Sequence, residues 1–158
     1  MPDPDQRQIV REAIAQNAFC VLATSSATNR PHAVGVIYVA VDGVLHVSTL
    51  DTSVKARNVR ENPRVAVCIP VHQHPGVPPF CVQFQGTAEV CGLHDPRIVG
   101  LLAAGRLETI TGHGALEAPG SCFLRVTPGR RIATYGLGVP LDELMRDPIN
   151  ASRSVELS

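Results

Sequence analysis

VSTLDTSVKARNVRENPRVAVCIP, residues Val47 to Pro70, reads as an apolar strand, a Ser/Thr-rich turn, a short basic helix and a second strand. The turn carries hydroxyls at Ser48, Thr49, Thr52 and Ser53, with Lys55 and Arg57 close behind. Hydroxyls, free backbone N–H groups and cations converge where a helix begins, a combination that suits an anion. Nothing nearby is built for phosphoryl chemistry, so a phosphate held there fits a cofactor. The helix spans Ser53 to Asn62 and stops because a residue before proline, here Pro63, is biased away from helical backbone.

Working outward, Asp5 to Asn17 carries Ile9, Val10, Ala13 and Ile14 at helical spacing. Phe19 to Thr24 is a buried strand, and Ser25 to Arg30 is its polar turn. His32 to Val41 follows as a strand, and Asp42-Gly43 is a strong hairpin signal joining it to Val44 to Leu50. Downstream, Arg64 to Val71 is a strand and His72 to Pro79 a Pro-rich loop. Phe80 to Cys91 resumes a strand, with Gly86 marking a bulge or the close approach of another backbone. Asp95 to Glu108 is helical, Ser121 to Val126 is a strand, and Arg131 to Tyr135 extends the sheet. The tail from Leu141 is weakly patterned. The expectation is a mainly β, six-stranded antiparallel barrel with two or three peripheral helices, one domain over residues 1–158.

Lys plus Arg and Asp plus Glu number 14 each, so no global field recruits nucleic acid or an acidic membrane. Aromatic residues make up 4% with no Trp, which argues against stacking platforms for single-stranded nucleic acid. The chain is 44% hydrophobic and 18% charged, apolar enough to expect a partner subunit over part of its surface. No run approaches the roughly 20 apolar residues that span a bilayer. The opening MPDPDQRQIVREAIAQ lacks the basic-then-apolar layout of a signal peptide. Five cysteines without a CxxC pair read as reduced, mostly buried thiols, and a cytoplasmic location is expected.

Val21 to Pro70 resembles the pyridoxamine 5′-phosphate oxidase-like superfamily of flavin-binding split β-barrels. The resemblance rests on LAT (Leu22 to Thr24), RPH (Arg30 to His32), VGVIYV, and above all Lys55-Ala-Arg57-Asn58 through Asn62-Pro63-Arg64-Val65. FQGTAEV (Phe84 to Val90) and FLRVTPGRRIATYGLG (Phe123 to Gly138) also fit. The resemblance implies a homodimer with a cofactor at the subunit interface, FMN or the deazaflavin coenzyme F420, in an oxidoreductase acting on a small organic substrate. It implies that the flavin ring lies along Val34, Gly35, Val36 and Ile37. Ser48 and Thr49 approach the ribityl chain or phosphate, and Ser53 and Lys55 hold the phosphate with Arg57 or Asn58 in support. The substrate enters beside the partner's His72 to Pro79 loop.

The chain departs from the namesake oxidases. Val34 and Val54 stand where those enzymes place arginines, Cys81 where they place a flavin-contacting Gln, and RIATYGLG lacks their Arg-x-His motif. Vitamin B6 oxidation is therefore disfavoured, and the two valines favour the deazaflavin. The plainer reading of Lys55, Arg57 and Arg60 is a solvated helix face. His72, His74 and His94 lack a completing acid or thiol, so no metal site is expected. No histidine stands out as a haem ligand; His32 and His46 are read as lining the cofactor or dimer seam. No general acid is identified; Tyr38 and His32 are candidates for a proton donor only because they flank the ring strand. The alternative function is a non-catalytic flavin-binding, storage or sensor protein.

Overall fold

Strand β2 (Pro31–Ile37) lies at one edge of the sheet and β3 (Val39–Val41) at the other, although only Tyr38 separates them in the chain. A sheet whose edges are joined through one residue has to curl until those edges nearly meet. In the computed structural model, which describes residues 4–71, 75–76, 80–112 and 114–157, this produces the split barrel. Tyr38 is the corner post. Its N–H donates to the Ala18 carbonyl at 2.8 Å and its hydroxyl to the Ile14 carbonyl at 2.7 Å, and the side chain is 1% exposed.

The remaining strands are β1 (Phe19–Ser25), β4 (Val44–Leu50), β5 (Arg64–Val71), β6 (Phe80–Gly92), β7 (Ser121–Tyr135) and β8 (Ser152–Glu156). They pair antiparallel in the order β2-β1-β5-β6-β7-β4-β3, with β8 added alongside β7. The described residues thus hold eight strands where six were expected. Tyr38 divides the His32–Val41 run, and the weakly patterned tail supplies β8, whose Val155 is buried opposite Ile132. Arg131–Tyr135 belongs to one long β7 with Ser121–Val126.

The turns follow from residue chemistry. Asp42 and Gly43 both hold positive φ (50° and 79°), as a tight hairpin of this hand requires. Gly86 shifts the β6–β7 register and lies against the Thr127 carbonyl, where a Cβ would collide.

Five α-helices surround the barrel, again more than expected: α1 (Pro4–Gln16), α2 (Val54–Glu61), α3 (Pro96–Ala103), α4 (Glu108–Thr111) and α5 (Leu141–Arg146). The helix read over Asp95–Glu108 ends at Ala103, where a turn through Gly105 (φ 68°) leads into α4. Val10, Ala13 and Ile14 of α1 and Ala56 and Val59 of α2 join the inward side chains of the strands in the main core. The sheet's outer surface is divided. Over β3, β4 and the first half of β7, a second core of Val41, Cys91, Ile98, Leu107, Ile110 and Phe123 forms beneath α3 and α4. Over β1, β5 and the second half of β7, Val21, Ala23, Ala66, Cys68 and Ala133 border an open hollow of about 760 Å³.

Candidate cofactor site

Where β2 and β4 pass each other without pairing, a pocket of about 360 Å³ opens. Gly35, Val36 and Ile37 line it from β2, Val47 and Ser48 from β4, and Lys55 from the first turn of α2. Thr109, Ile110 and Gly112, in and just after α4, complete the lining. Five residues expected from the sequence, Gly35, Val36, Ile37, Ser48 and Lys55, therefore meet at one cavity. Its volume falls in the range that holds small organic ligands, roughly 300–1,000 Å³. Gly35 brings no side chain to the outer face of β2, where the Phe19 ring packs so closely that a Cβ would stand 2.8 Å from it.

Ser53 is the N-cap of α2, its oxygen accepting from the Ala56 N–H at 3.2 Å. The same oxygen accepts from the Thr49 hydroxyl at 3.1 Å. With two donors already directed at that oxygen, the Ser53 hydroxyl proton is free to point outward. The first N–H groups of α2 lie beside it, unpaired by helix geometry. Lys55 is half-buried and makes no salt bridge among the described residues. Hydroxyls, amides and one unpaired ammonium form a donor set that fits a phosphate and needs no deeply buried charge.

The other expected residues take distinct positions. Val34 packs against the barrel core, and Arg57 lies exposed on α2. Asn58 is turned inward, 7% exposed, its Nδ2 donating to Thr24 Oγ1 at 3.0 Å. In this position it fastens α2 to β1. Arg60 is likewise engaged, its guanidinium donating to the Asp51 carbonyl at 2.7 Å.

Tyr38 does not serve as a proton donor to the pocket: it is sealed in the core, and burial pushes its hydroxyl well above the usual phenol range. His32 sits opposite Thr24 in the β1–β2 register, its Nδ1 buried without a partner. His46 is buried, 1% exposed, between Val39 of β3 and Arg125 of β7. Cys20, Cys91 and Cys122 are buried, whereas Cys68 and Cys81 are half-exposed on the open sheet face. Burial pushes the Cys20 thiol up to about 12 and the Cys91 thiol to about 11, so neither is a nucleophile near neutral pH. No group of three metal-ligating side chains occurs among the described residues. His72, His74 and most of the Pro-rich loop lie outside them.

Thr109, Ile110 and Gly112 were missed by sequence reasoning. They reach the pocket only because α4 packs onto β4, some 60 residues away in the chain, and no local pattern announces that contact.

Residues 7–129 match the family model described as pyridoxamine 5′-phosphate oxidase. The chain belongs to this family. Membership of the pyridoxamine 5′-phosphate oxidase family confirms the split barrel inferred from Lys55-Ala-Arg57-Asn58 and Asn62-Pro63-Arg64-Val65. Among solved structures, the haem storage protein HutZ of Vibrio cholerae superimposes with a TM-score of 0.69 at 17% identity, over 86% of this chain and 96% of that one. A haem-binding protein of Mycobacterium smegmatis gives 0.75 at 18% identity, over 99% of this chain and 60% of that one. An FAD-binding protein of Mesorhizobium loti gives 0.64 at 20% identity, over 81% of this chain and 90% of that one. These likenesses establish the shared fold. A search of curated proteins finds no match. No helix among the described residues is long and apolar enough to cross a membrane.

Proposed function

We propose that the protein binds a phosphorylated flavin-type cofactor, FMN or the deazaflavin coenzyme F420, in the split between β2 and β4. One observation carries the reading: a single pocket gathers Gly35 of β2, the Ser48 hydroxyl and the Lys55 ammonium, which makes no salt bridge among the described residues. Ser53, whose hydroxyl proton is free to donate, and Thr49 are close to these in the chain. The phosphate rests on Ser53, Lys55 and the first amides of α2, with Arg57 supporting from solvent. The ring lies along Val34 to Ile37. A bound flavin supplies hydride chemistry, while the protein binds, orients and shields it.

The pocket is open on one side, and the bare hollow over β1, β5 and β7 is the surface on which a second copy of the chain closes it. Small apolar side chains (Ala23, Ala66, Ala133) with Gln83 and Gln85 between them suit the centre of a dimer interface.

Oxidoreduction of a small organic substrate is the leading activity. Non-catalytic binding or storage has its own support, because among the described residues Ser48, Lys55 and Thr109 are the only side chains with exchangeable protons lining the pocket. Two named structural relatives are, moreover, described as storing or binding haem. Titrating the purified protein with FMN and with F420, followed by visible absorbance and fluorescence, tests the binding. Micromolar or tighter affinity for one of them is expected, and no affinity for either would overturn the reading. Turnover with reduced nicotinamide nucleotides or reduced F420 then separates enzyme from store.

A further inference from the structure

His46 stands on the outer face of β4, two residues before the pocket residue Ser48 and on the same side of the strand, while Leu45 and Val47 point into the main core. Its strand neighbours are Val39 on β3 and Arg125 on β7. These flank the ring at its sides, and the residue is 1% exposed on the outer face of the sheet, the face over which the second core forms beneath α3 and α4. Neither Nδ1 nor Nε2 has a hydrogen-bond partner, and the nearby Arg125 Nε is also buried and unpaired. A buried, unpartnered imidazole is tolerated neutral and becomes costly when charged.

We propose that His46 makes the α3–α4 roof acid-sensitive: uptake of a proton at His46 releases α4 from β4 and opens the cofactor pocket. The consequence for a cofactor rests on the function proposed above; the release of the roof does not. The charged groups on the surrounding elements are Arg125 on β7, Glu89 on β6, Asp95 and Arg97 at the head of α3, and Arg106 and Glu108 beside α4. Of these only Arg125 acts on the ring, and it opposes a second positive charge. Burial is the larger influence and Arg125 the next; together they hold His46 below the usual histidine range. The backbone of Val39 and Val44 favours a proton, an influence smaller than burial and Arg125, and makes no hydrogen bond of proper geometry to either nitrogen. Glu89 and Asp95 are shifted down by their arginine partners, so both remain ionised while histidines titrate.

The direction follows from linkage. With the folded-state value lowered, the roof is unaffected at neutral pH and loses stability as pH falls below the free histidine value, about 6.5. Release of the segment takes up one proton, so its open population rises by at most about tenfold per pH unit in that window.

The test is hydrogen–deuterium exchange on the cofactor-free, full-length protein from pH 7.5 to 5.5, corrected for intrinsic rates. Protection over residues 96–111 is expected to fall several-fold while β1 and β5 hold. His46→Leu, or His46→Gln if the leucine variant does not fold, abolishes that dependence. An unchanged pH profile in the folded variant, a flat profile in the native protein, or loss of the dependence in His94→Asn would each overturn the proposal. If the roof responds but neither FMN nor F420 binds at any pH, the cofactor reading fails and the acid-sensitive roof stands.

Discussion

On the outer surface of β3, β4 and the first half of β7, Val41 and Phe123 are shut beneath α3 and α4, whereas Val21, Ala23, Ala66 and Cys68 on β1 and β5 face an open hollow. Both halves obey the same strand alternation, and both send apolar side chains outward. The chain covers one half with its own α3 and α4, while the other half borders an open hollow. The pocket sits at the border, with β2 and β4 as its floor and α4 as its wall. A site built there has internal packing on one side and, under the proposed function, a second copy on the other.

That contrast is breakable by mutation. The largest effect is expected on the bare half: Ala66→Arg at the centre of the hollow converts a dimer to monomers, read by light scattering after size exclusion, with little change in the melting of the monomer. A dimer that persists would move the interface elsewhere. The matching change on the covered half, Phe123→Ala, removes a side chain with no solvent exposure and costs about 3–5 kcal/mol of unfolding free energy, measured by denaturant titration. Its oligomeric state is unaffected in the fraction that remains folded.

Asn58→Ala, next in size, leaves Thr24 buried without its partner and costs about 1–3 kcal/mol of stability, with no direct loss of cofactor contact. The smallest effect belongs to Glu89, which ties α3 to the sheet through Arg97 (2.7 Å) and Arg125 (2.6 Å). These partners lower its carboxyl from the ordinary value, so its contribution is present above about pH 4.5 and is lost as pH falls below that. Half-exposed as it is, Glu89→Gln costs no more than about 1 kcal/mol and flattens the acid limb of stability.

How much of this could be read in the sequence differs by region for physical reasons. The segment from Val47 to Pro70 was legible because its signals are local: Ser53 caps α2, Asn62 before Pro63 ends it, and both act within a turn of the chain. Asp42-Gly43 announced its hairpin in the same way. The corner at Tyr38 was invisible, because Val36 to Val41 is unbroken β-forming sequence and only the change of partner from β1 to β4 divides it. β8 escaped notice because pairing with β7, not a pattern of its own, makes it a strand. At the pocket, Gly35 to Ile37, Ser48 and Lys55 were expected from the family resemblance, while Asn58, expected from the same resemblance, faces inward. A helix carries residues to different faces at each step, and the resemblance alone does not say which face is the pocket's. The α4 wall and the burial of His46 depend on long-range packing, which has no local signature.

The most direct test of the account is the cofactor affinity of Lys55→Ala measured beside Arg57→Ala, by titration with FMN and F420. Loss of one charge-assisted contact is worth about 1.5–3 kcal/mol, so Lys55→Ala should weaken binding roughly 10- to 100-fold, and the exposed Arg57→Ala only a few-fold. Unchanged affinity in Lys55→Ala, with the fold intact, would contradict the phosphate cradle.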